Sequence, residues 1–410
     1  MFRSIWRKLN KLSNSNLYIF IRFLIRIIVV PLTHFLWFFE PFIKIRIFRG
    51  EIGRIGHLCA YFEVLIRTKE INLSDKKQLN IFVVPNNPAN KTLYKMWKRN
   101  LIFIESNKLD FIYHLCSPWL KKLRHFGPSN IPQGALPQSK PTLRFTGDEN
   151  IAGKKLIKKM GIESDDWFVC LHSRSSSFLK KKFSNKDFSY HDLRDSSFEK
   201  LDKSVKLITK LGGKCLRMSN GENKKLNKKL SKNVIDYANK WHSDFMDVYL
   251  PSNCKFFLGG PSGLLSVSHI FNIPVACTNC WPVSKVSIPS DSLFIPKLMW
   301  NKEKKRFLSY KEIKEYNLDK YRYASDYKSL GIEVIENDAD DIELLTRDIL
   351  DMINNNKLSD NDENYRDKFM NKYFTVNKFM NKYNKSYEGF KNSGKISWRF
   401  LNKHSFLMDK

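Results

Sequence analysis

A parallel, doubly wound α/β fold in two lobes is the class this sequence predicts. Three observations predict it. Short apolar runs of strand length alternate with amphipathic stretches from Phe42 onward, glycine-rich turns follow directly after several of those runs, and a proline-rich break at Pro128, Pro132, Pro137 and Pro141 divides the pattern in two. At 410 residues the chain is long for one core, which agrees with two domains. Hydrophobic residues make up 42% and aromatics 14%, ample for packed interiors and unlike a disordered chain. Composition shifts divide the chain into segments 1–41, 42–126, 127–146, 147–353 and 354–410.

The first segment is basic and apolar. Ile27 to Phe39 is its longest uncharged run, with Pro31 inside, and a helix that spans a bilayer needs about 20 apolar residues. No small-residue cleavage site follows, so the segment does not read as a secretory signal. A basic, aromatic-rich segment of this kind is expected to lie in the headgroup region of an anionic membrane surface; the other reading is a pair of helices packed on the protein's own body. The formal net charge of +30 adds attraction to anionic partners, and the abundance of Lys, Asn and Ile is also what an A/T-rich genome would give.

Phe42 to Phe48 reads as a strand that runs into Gly50-Glu51-Ile52-Gly53-Arg54-Ile55-Gly56-His57, followed by an apolar helix through Ile66. Strand, glycine turn and helix bring backbone N–H groups close to a phosphate or sugar, and Gly50, Gly53 and Gly56 are expected to form a loop on the acceptor side of the site. The spacing is not G-x-G-x-x-G, so no nicotinamide cofactor is expected. Asn80 to Val84, a short helix near Lys91 to Lys98, and Leu101 to Ile104 complete a small first lobe.

The second lobe has the clearer pattern. Trp167 to Leu171 is a continuous apolar run, as in a strand buried on both faces, and ends in His172-Ser173-Arg174. A polar loop reaches Tyr190 to Asp195, Ser196 and Glu199 have capping-box spacing, and Phe198, Leu201, Val205 and Ile208 share a helical face that ends at Gly212-Gly213. Further strands are expected at Lys214 to Met218, Asn233 to Tyr237, Cys254 to Leu258 and Pro274 to Thr278. Ser243 is expected to cap a short helix through Leu250, and Gly259-Gly260-Pro261-Ser262-Gly263 to open another.

Ligands of such sheets bind at the carboxyl ends of the strands. Arg174 offers a bidentate fork to phosphate oxygens, and Gly260, Ser262 and Gly263 offer backbone N–H groups at a helix start. Together they suit a diphosphate, with His172 and Arg194 in the same loops and Arg217 as a second cation. Asp244 and Asp247 are candidates to accept hydrogen bonds from a base or ribose; the other reading of Asp244 is an acid placed in a first helical turn by the dipole. Cys277 and Cys280 have C-x-x-C spacing without a second pair or a histidine at ligand spacing, so no zinc site is expected, and the odd total of seven cysteines fits a reducing compartment. Asp338-Ala-Asp340 has metal-motif spacing but opens a helix striped by Ile342, Leu345, Ile349 and Ile353, so capping is the reading; no metal and no cofactor are expected.

From His172-Ser-Arg174 through Tyr190-His-Asp-Leu-Arg194-Asp195, Arg217-Met218, Ile235-Asp-Tyr237, Ser243 to Leu250, Phe256 to Gly259, Ser262-Gly263 and Pro274, the chain resembles a family of bacterial glycosyltransferases found with surface-polysaccharide genes. Gly50 to Leu58 also resembles that family's N-terminal part, and the likeness covers roughly residues 49 to 300. His172 and Arg174 are more remotely similar to the His-x-Arg of GT-B fucosyltransferases, which grips a donor diphosphate. The family has an acidic residue beside the Arg where this chain has Ser175, Ser176 and Ser177.

The resemblance implies a GT-B-like pair of Rossmann-like lobes, with the nucleotide-sugar donor on the C-terminal lobe and a glycan or lipid-linked acceptor entering from the N-terminal lobe. It implies a metal-independent enzyme of hexosyltransferase type, and the cysteine usage together with the basic, apolar first segment leads to the expectation of a cytoplasmic protein, peripheral on the inner face of the cell membrane. His57 is the candidate general base for such a transfer. Two other classes stay open: a basic RNA- or DNA-binding protein, against which stands the lack of any recognised nucleic-acid module, and another nucleotide-dependent transferase.

Past residue 354 the chain is polar and basic, with Lys368 to Tyr373 echoed at Lys378 to Tyr383, and reads as a peripheral helical tail.

Overall fold

The computed structural model describes residues 16–67, 71–120, 139–175, 189–218, 226–283, 286, 288–321, 323–374 and 394–408. The second copy of the tail repeat and most of the proline-rich linker lie outside the described residues. The chain divides into two units, Met1–Ile131 and Pro132–Lys410.

The first unit is built on three parallel strands, β1 (Lys44–Arg49), β2 (Gln78–Val84) and β3 (Ile102–Glu105), in the order β1-β2-β3. Its core is aromatic. Phe48 stacks on Phe82 with centroids 5.0 Å apart, Phe62 meets Phe82 edge-on at 5.0 Å, and Trp97 lies 5.3 Å from Phe62 while its indole N–H donates to the Leu58 carbonyl at 2.9 Å. Each fully buried ring contributes about 1.5–3 kcal/mol, and favourable ring pairs add roughly 0.5–1.5. This cluster fixes the helices Ile55–Arg67 and Lys91–Trp97 on the sheet, the latter capped by Asn90, which accepts from the Leu93 N–H. The helix Asn107–Leu120 follows β3 and was not foreseen from the sequence.

A helix also runs Asn16–Phe38, with Pro31 inside. Phe20, Phe23, Leu24, Ile27, Ile28, Phe35, Trp37 and Phe38 are exposed along it, most of them at spacings of three, four and seven that place them on one stripe. No helix of the described residues is long and apolar enough to cross a membrane.

The second unit carries a parallel sheet of seven strands in the order β13-β9-β8-β7-β4-β5-β6. These are β4 (Phe168–His172), β5 (Lys214–Arg217), β6 (Val234–Ile235), β7 (Phe256–Gly259), β8 (Val275–Cys280), β9 (Leu293–Pro296) and β13 (Lys395–Ile396). Numbered within the lobe, the order is 3-2-1-4-5-6 with one more edge strand, a doubly wound Rossmann arrangement. Every residue of β7 and β8 is buried, which explains the apolar runs Phe256 to Leu258 and Val275 to Cys277.

Several local details differ from the sequence reading. The box expected at Ser196 and Glu199 does not form: Ser197 precedes a 3-10 turn, Phe198–Leu201, and the helix proper is Asp202–Lys210. Ser196 is engaged elsewhere, its Oγ accepting from the Arg174 N–H at 3.3 Å and its own N–H donating to the Arg174 carbonyl at 3.0 Å. The third strand of the lobe is only Val234–Ile235, because Tyr237 turns into a short helix. A small antiparallel sheet, β11-β10-β12, of β10 (Leu298–Asn301), β11 (Arg306–Phe307) and β12 (Ile332–Ile335), is added after β9. Asp338 caps the helix Ala339–Ile353 in a box with Asp341, and Ile342, Leu345 and Ile349 are buried.

The chain's end is part of this unit's interior rather than a peripheral tail. β13 pairs with β9, Ile396, Phe400 and Leu401 are buried, and Asp348 accepts from the Ser397 hydroxyl at 2.5 Å.

Candidate functional site

β4 lies inside the second unit's sheet, with β5 on one side and β7 on the other, and the chain winds away from it in both directions. The gap between β4 and β7 is therefore the topological switch point, where connecting segments leave to opposite faces and open a crevice at the strand ends. His172 and Gly259 pair in register across that gap. The segments that leave the two strands are His172-Ser173-Arg174 and Gly260-Pro261-Ser262-Gly263, both singled out in the sequence.

Gly260 lies close to three neighbours. A side chain there would approach the Thr278 carbonyl at 3.6 Å and the Arg194 carbonyl and Ser196 Oγ at 3.8 Å each. The turn Ser189–Arg194 thus packs its end against the glycine loop, which brings Arg194 to the same strand ends. Ser262 Oγ accepts from the Leu265 N–H at 3.3 Å, and the helix that follows is short, Leu265–Ile270.

Arg174 is a half-buried cation with a fixed partner. Its Nη1 donates to Asp195 Oδ1 at 2.7 Å. Asp195 lies 21 residues beyond Arg174 in the chain, whereas the residue directly after the Arg is Ser175. Asp195 is itself held from below, because Lys297 Nζ donates to its backbone carbonyl at 2.9 Å. Lys297 is only 6% exposed, and burial pushes its ammonium down to about 8 despite the nearby Glu336 and Asp195 carboxylates. Glu336 accepts from the Ser197 N–H at 2.6 Å and pairs with Lys200 at 3.1 Å. The sequence reading missed Lys297, although a lone lysine inside the apolar run Leu293 to Trp300 is the signal of a buried, partnered charge.

Arg217 ends β5 and is 5% exposed. Its guanidinium lies 3.6 Å from Asp236 and 5.4 Å from the centre of the Phe198 ring, so it braces β5 against the chain after β6. Asp247 is 4% exposed and accepts from the Tyr237 hydroxyl at 2.8 Å and from His242 Nε2 at 3.0 Å. The bond to Asp247 raises the His242 imidazole, which is exposed, and burial beside Asp247 raises the Tyr237 phenol. Asp244 is half-buried in the turn between Ser243 and the helix Met246–Asn253, where Ser243 Oγ accepts from the Met246 N–H at 3.2 Å.

In the first unit, Gly50 continues β1, its N–H donating to the Val83 carbonyl at 3.0 Å. A side chain on Gly50 would meet the Val84 side chain at 2.8 Å and the Phe62 ring at 3.2 Å, so a larger residue there would have to displace Val84. Gly53 stands in open space. Gly56 and His57 fall in the first turn of the helix Ile55–Arg67, and the His57 side chain is 41% exposed. Its Nδ1 lies 2.5 Å from Glu51 Oε2. Among the described residues no group of three or more His, Cys, Asp or Glu side chains is placed to hold a metal ion.

No family model matches the chain. No curated protein matches it either. Among solved structures, it is similar to a glycosyl transferase of family 9 from Veillonella parvula, with a TM-score of 0.45 and 10% identity over 77% of this chain and 98% of that one. It is also similar to the ADP-heptose LPS heptosyltransferase II of E. coli, with a TM-score of 0.43 and 11% identity over 62% of this chain and 91% of that one. A further E. coli heptosyltransferase, solved with ADP, has a TM-score of 0.34 and 8% identity over 62% of this chain and 93% of that one. Likeness at this level says nothing of substrate or of residue roles in this chain.

Proposed function

We propose that the chain is a metal-independent glycosyltransferase of hexosyltransferase type that moves a sugar from a nucleotide-diphosphate donor to a glycan or lipid-linked acceptor in surface-polysaccharide synthesis. The observation that carries this reading is the switch point between β4 and β7, where a cation and a glycine loop leave paired strand ends. A diphosphate fits that chemistry: Arg174, oriented by Asp195, offers a charged fork, and Gly260, Ser262 and Gly263 offer backbone and hydroxyl donors. Arg194, His172 and the Asp244 turn are assigned to the same donor, and Arg217 and Asp247 act through the elements they brace. His57 is assigned as the base on the acceptor side. It takes the acceptor hydroxyl's proton while that oxygen bonds to the anomeric carbon and the bond to the diphosphate breaks, its electron pair leaving with the nucleotide.

The reading includes a membrane surface, at the cytoplasmic face. Arg3, Arg7, Lys8, Lys11, Arg22 and Arg26 precede the first acidic residue, Glu40, and the helix Asn16–Phe38 exposes an apolar stripe. Apolar rings with basic neighbours suit anionic headgroups.

A thermal-shift panel of nucleoside-diphosphate sugars tests the reading. Selective stabilisation by one nucleotide is expected, since a ligand bound only to the native state stabilises it by mass action. Salt-sensitive RNA binding with no response to any nucleotide would replace the transferase by the nucleic-acid class.

A further inference from the structure

The turn after β1 brings together a carboxylate and an imidazole. Gly50 and Ile52 on either side of Glu51 are both buried, and the Ile52 carbonyl accepts from the Ala89 N–H at 2.8 Å, so the backbone of the turn is pinned. The Glu51 side chain is left partly exposed, with its two oxygens divided between two partners. Oε2 lies 2.5 Å from His57 Nδ1, and Oε1 accepts from Arg49 Nη1 at 3.3 Å. Arg49 is anchored in turn, its Nε 2.8 Å from Asp110 Oδ1. The four side chains form one row, Asp110, Arg49, Glu51, His57. Among the described residues His57 Nε2 has no partner.

We infer that Glu51 is a positioning residue for His57, holding the imidazole as its Nδ1–H tautomer so that Nε2 is the nitrogen that takes the acceptor hydroxyl's proton. A carboxylate can only accept, so an imidazole bonded to it through Nδ1 must carry its proton there. Glu51 stays a carboxylate at any working pH, because the His57 bond, together with the Arg49 charge, holds it down at about 2. The catalytic half of this inference rests on the proposed sugar transfer; the tautomer does not.

The test uses the full-length chain labelled with 15N on histidine. The His57 ring is identified by its loss in His57→Gln, and long-range 1H–15N spectra read its tautomer. The wild type is expected to show the Nδ1–H form at a pH where the ring is neutral, and Glu51→Gln a shift toward the Nε2–H form. With the donor found by the nucleotide panel, Glu51→Gln should lower kcat on the order of 10²-fold with donor KM little changed, and Glu51→Asp should recover part of the loss. An Nε2–H ring in the wild type overturns the inference, and so does an unchanged kcat in Glu51→Gln where His57→Gln loses activity. If the wild type transfers no sugar from any donor, the proposed function fails, and the spectrum still upholds or overturns the Glu51–His57 arrangement.

Discussion

His172 and Gly259 face each other at the carboxyl ends of β4 and β7, so closely that a side chain on Gly259 would begin 2.2 Å from the His172 carbonyl oxygen. No rotamer relieves such a contact, because the obstacle is backbone. Gly259→Ala must therefore part the two strands at the point where both proposed donor loops leave the sheet. The expected cost is roughly 1–3 kcal/mol of stability, together with weaker nucleotide binding. Urea denaturation and the nucleotide panel measure the two effects, and a variant that matches the wild type in both would show that the strand ends tolerate separation.

Arg174→Ala should weaken donor binding sharply and leave the fold intact. Loss of a charge-assisted contact to phosphate costs on the order of 1.5–3 kcal/mol, about 10- to 150-fold in Kd. Asp195→Asn is the companion variant. It keeps the cation and removes the carboxylate that aims it at 2.7 Å, so its loss of affinity should be smaller than that of Arg174→Ala. Calorimetric titration decides, and wild-type affinity in Arg174→Ala would remove the diphosphate assignment.

The readable and unreadable parts of this molecule differ in kind. β4 and β7 announce themselves because strands buried on both faces read as unbroken apolar runs, and the glycines that follow mark where backbone approaches backbone. His172, Arg174 and Gly260 could be placed at strand ends from those signals alone. What the sequence does not carry is partnership. Asp195 reaching back to Arg174, Tyr237 and His242 closing on Asp247, and Glu51 on His57 all depend on how loops return in space. β13 is the extreme case: Lys395 and Ile396 are strand only because Leu293 and Phe294, about a hundred residues earlier, present an edge to them.

Deleting residues 1–41 should release the protein from anionic vesicles without loss of nucleotide binding. The exposed residues Phe20, Leu24, Ile27, Ile28, Phe35 and Phe38 and the basic residues around them all lie in that stretch. Flotation with acidic and with neutral liposomes is the measurement, and binding should favour the acidic ones and weaken with salt. Equal flotation of the full and shortened chains would put the lipid-binding surface elsewhere. Loss of thermal stability in the shortened chain would mean that the helix is a structural part of the first unit.

Lys297 sets a pH dependence whose sign follows from its burial. In the unfolded chain its ammonium titrates at the ordinary 10.5, and in the folded protein at about 8, because desolvation outweighs the attraction of Glu336 and Asp195. Below pH 8 both states carry the proton, and the folded protein bears the full cost of a buried charge. Between about 8 and 10.5 the unfolded chain binds more protons than the folded one, so the Lys297 contribution rises with pH in that window. The change is of order 3 kcal/mol at 1.36 kcal/mol per pH unit. Buried tyrosines and cysteines also titrate at alkaline pH, so the quantity to follow is the difference in unfolding free energy between the wild type and Lys297→Met. That difference should favour the wild type increasingly from pH 8 to 10.5 and be flat from 6 to 7.5. The methionine also removes the donor to the Asp195 carbonyl, which slackens the support of Arg174, so donor affinity should fall at every pH in the same series. A flat difference across the whole range would show that Lys297 reaches solvent and keeps its charge, and the picture of a buried cation bracing the donor loop would fall with it.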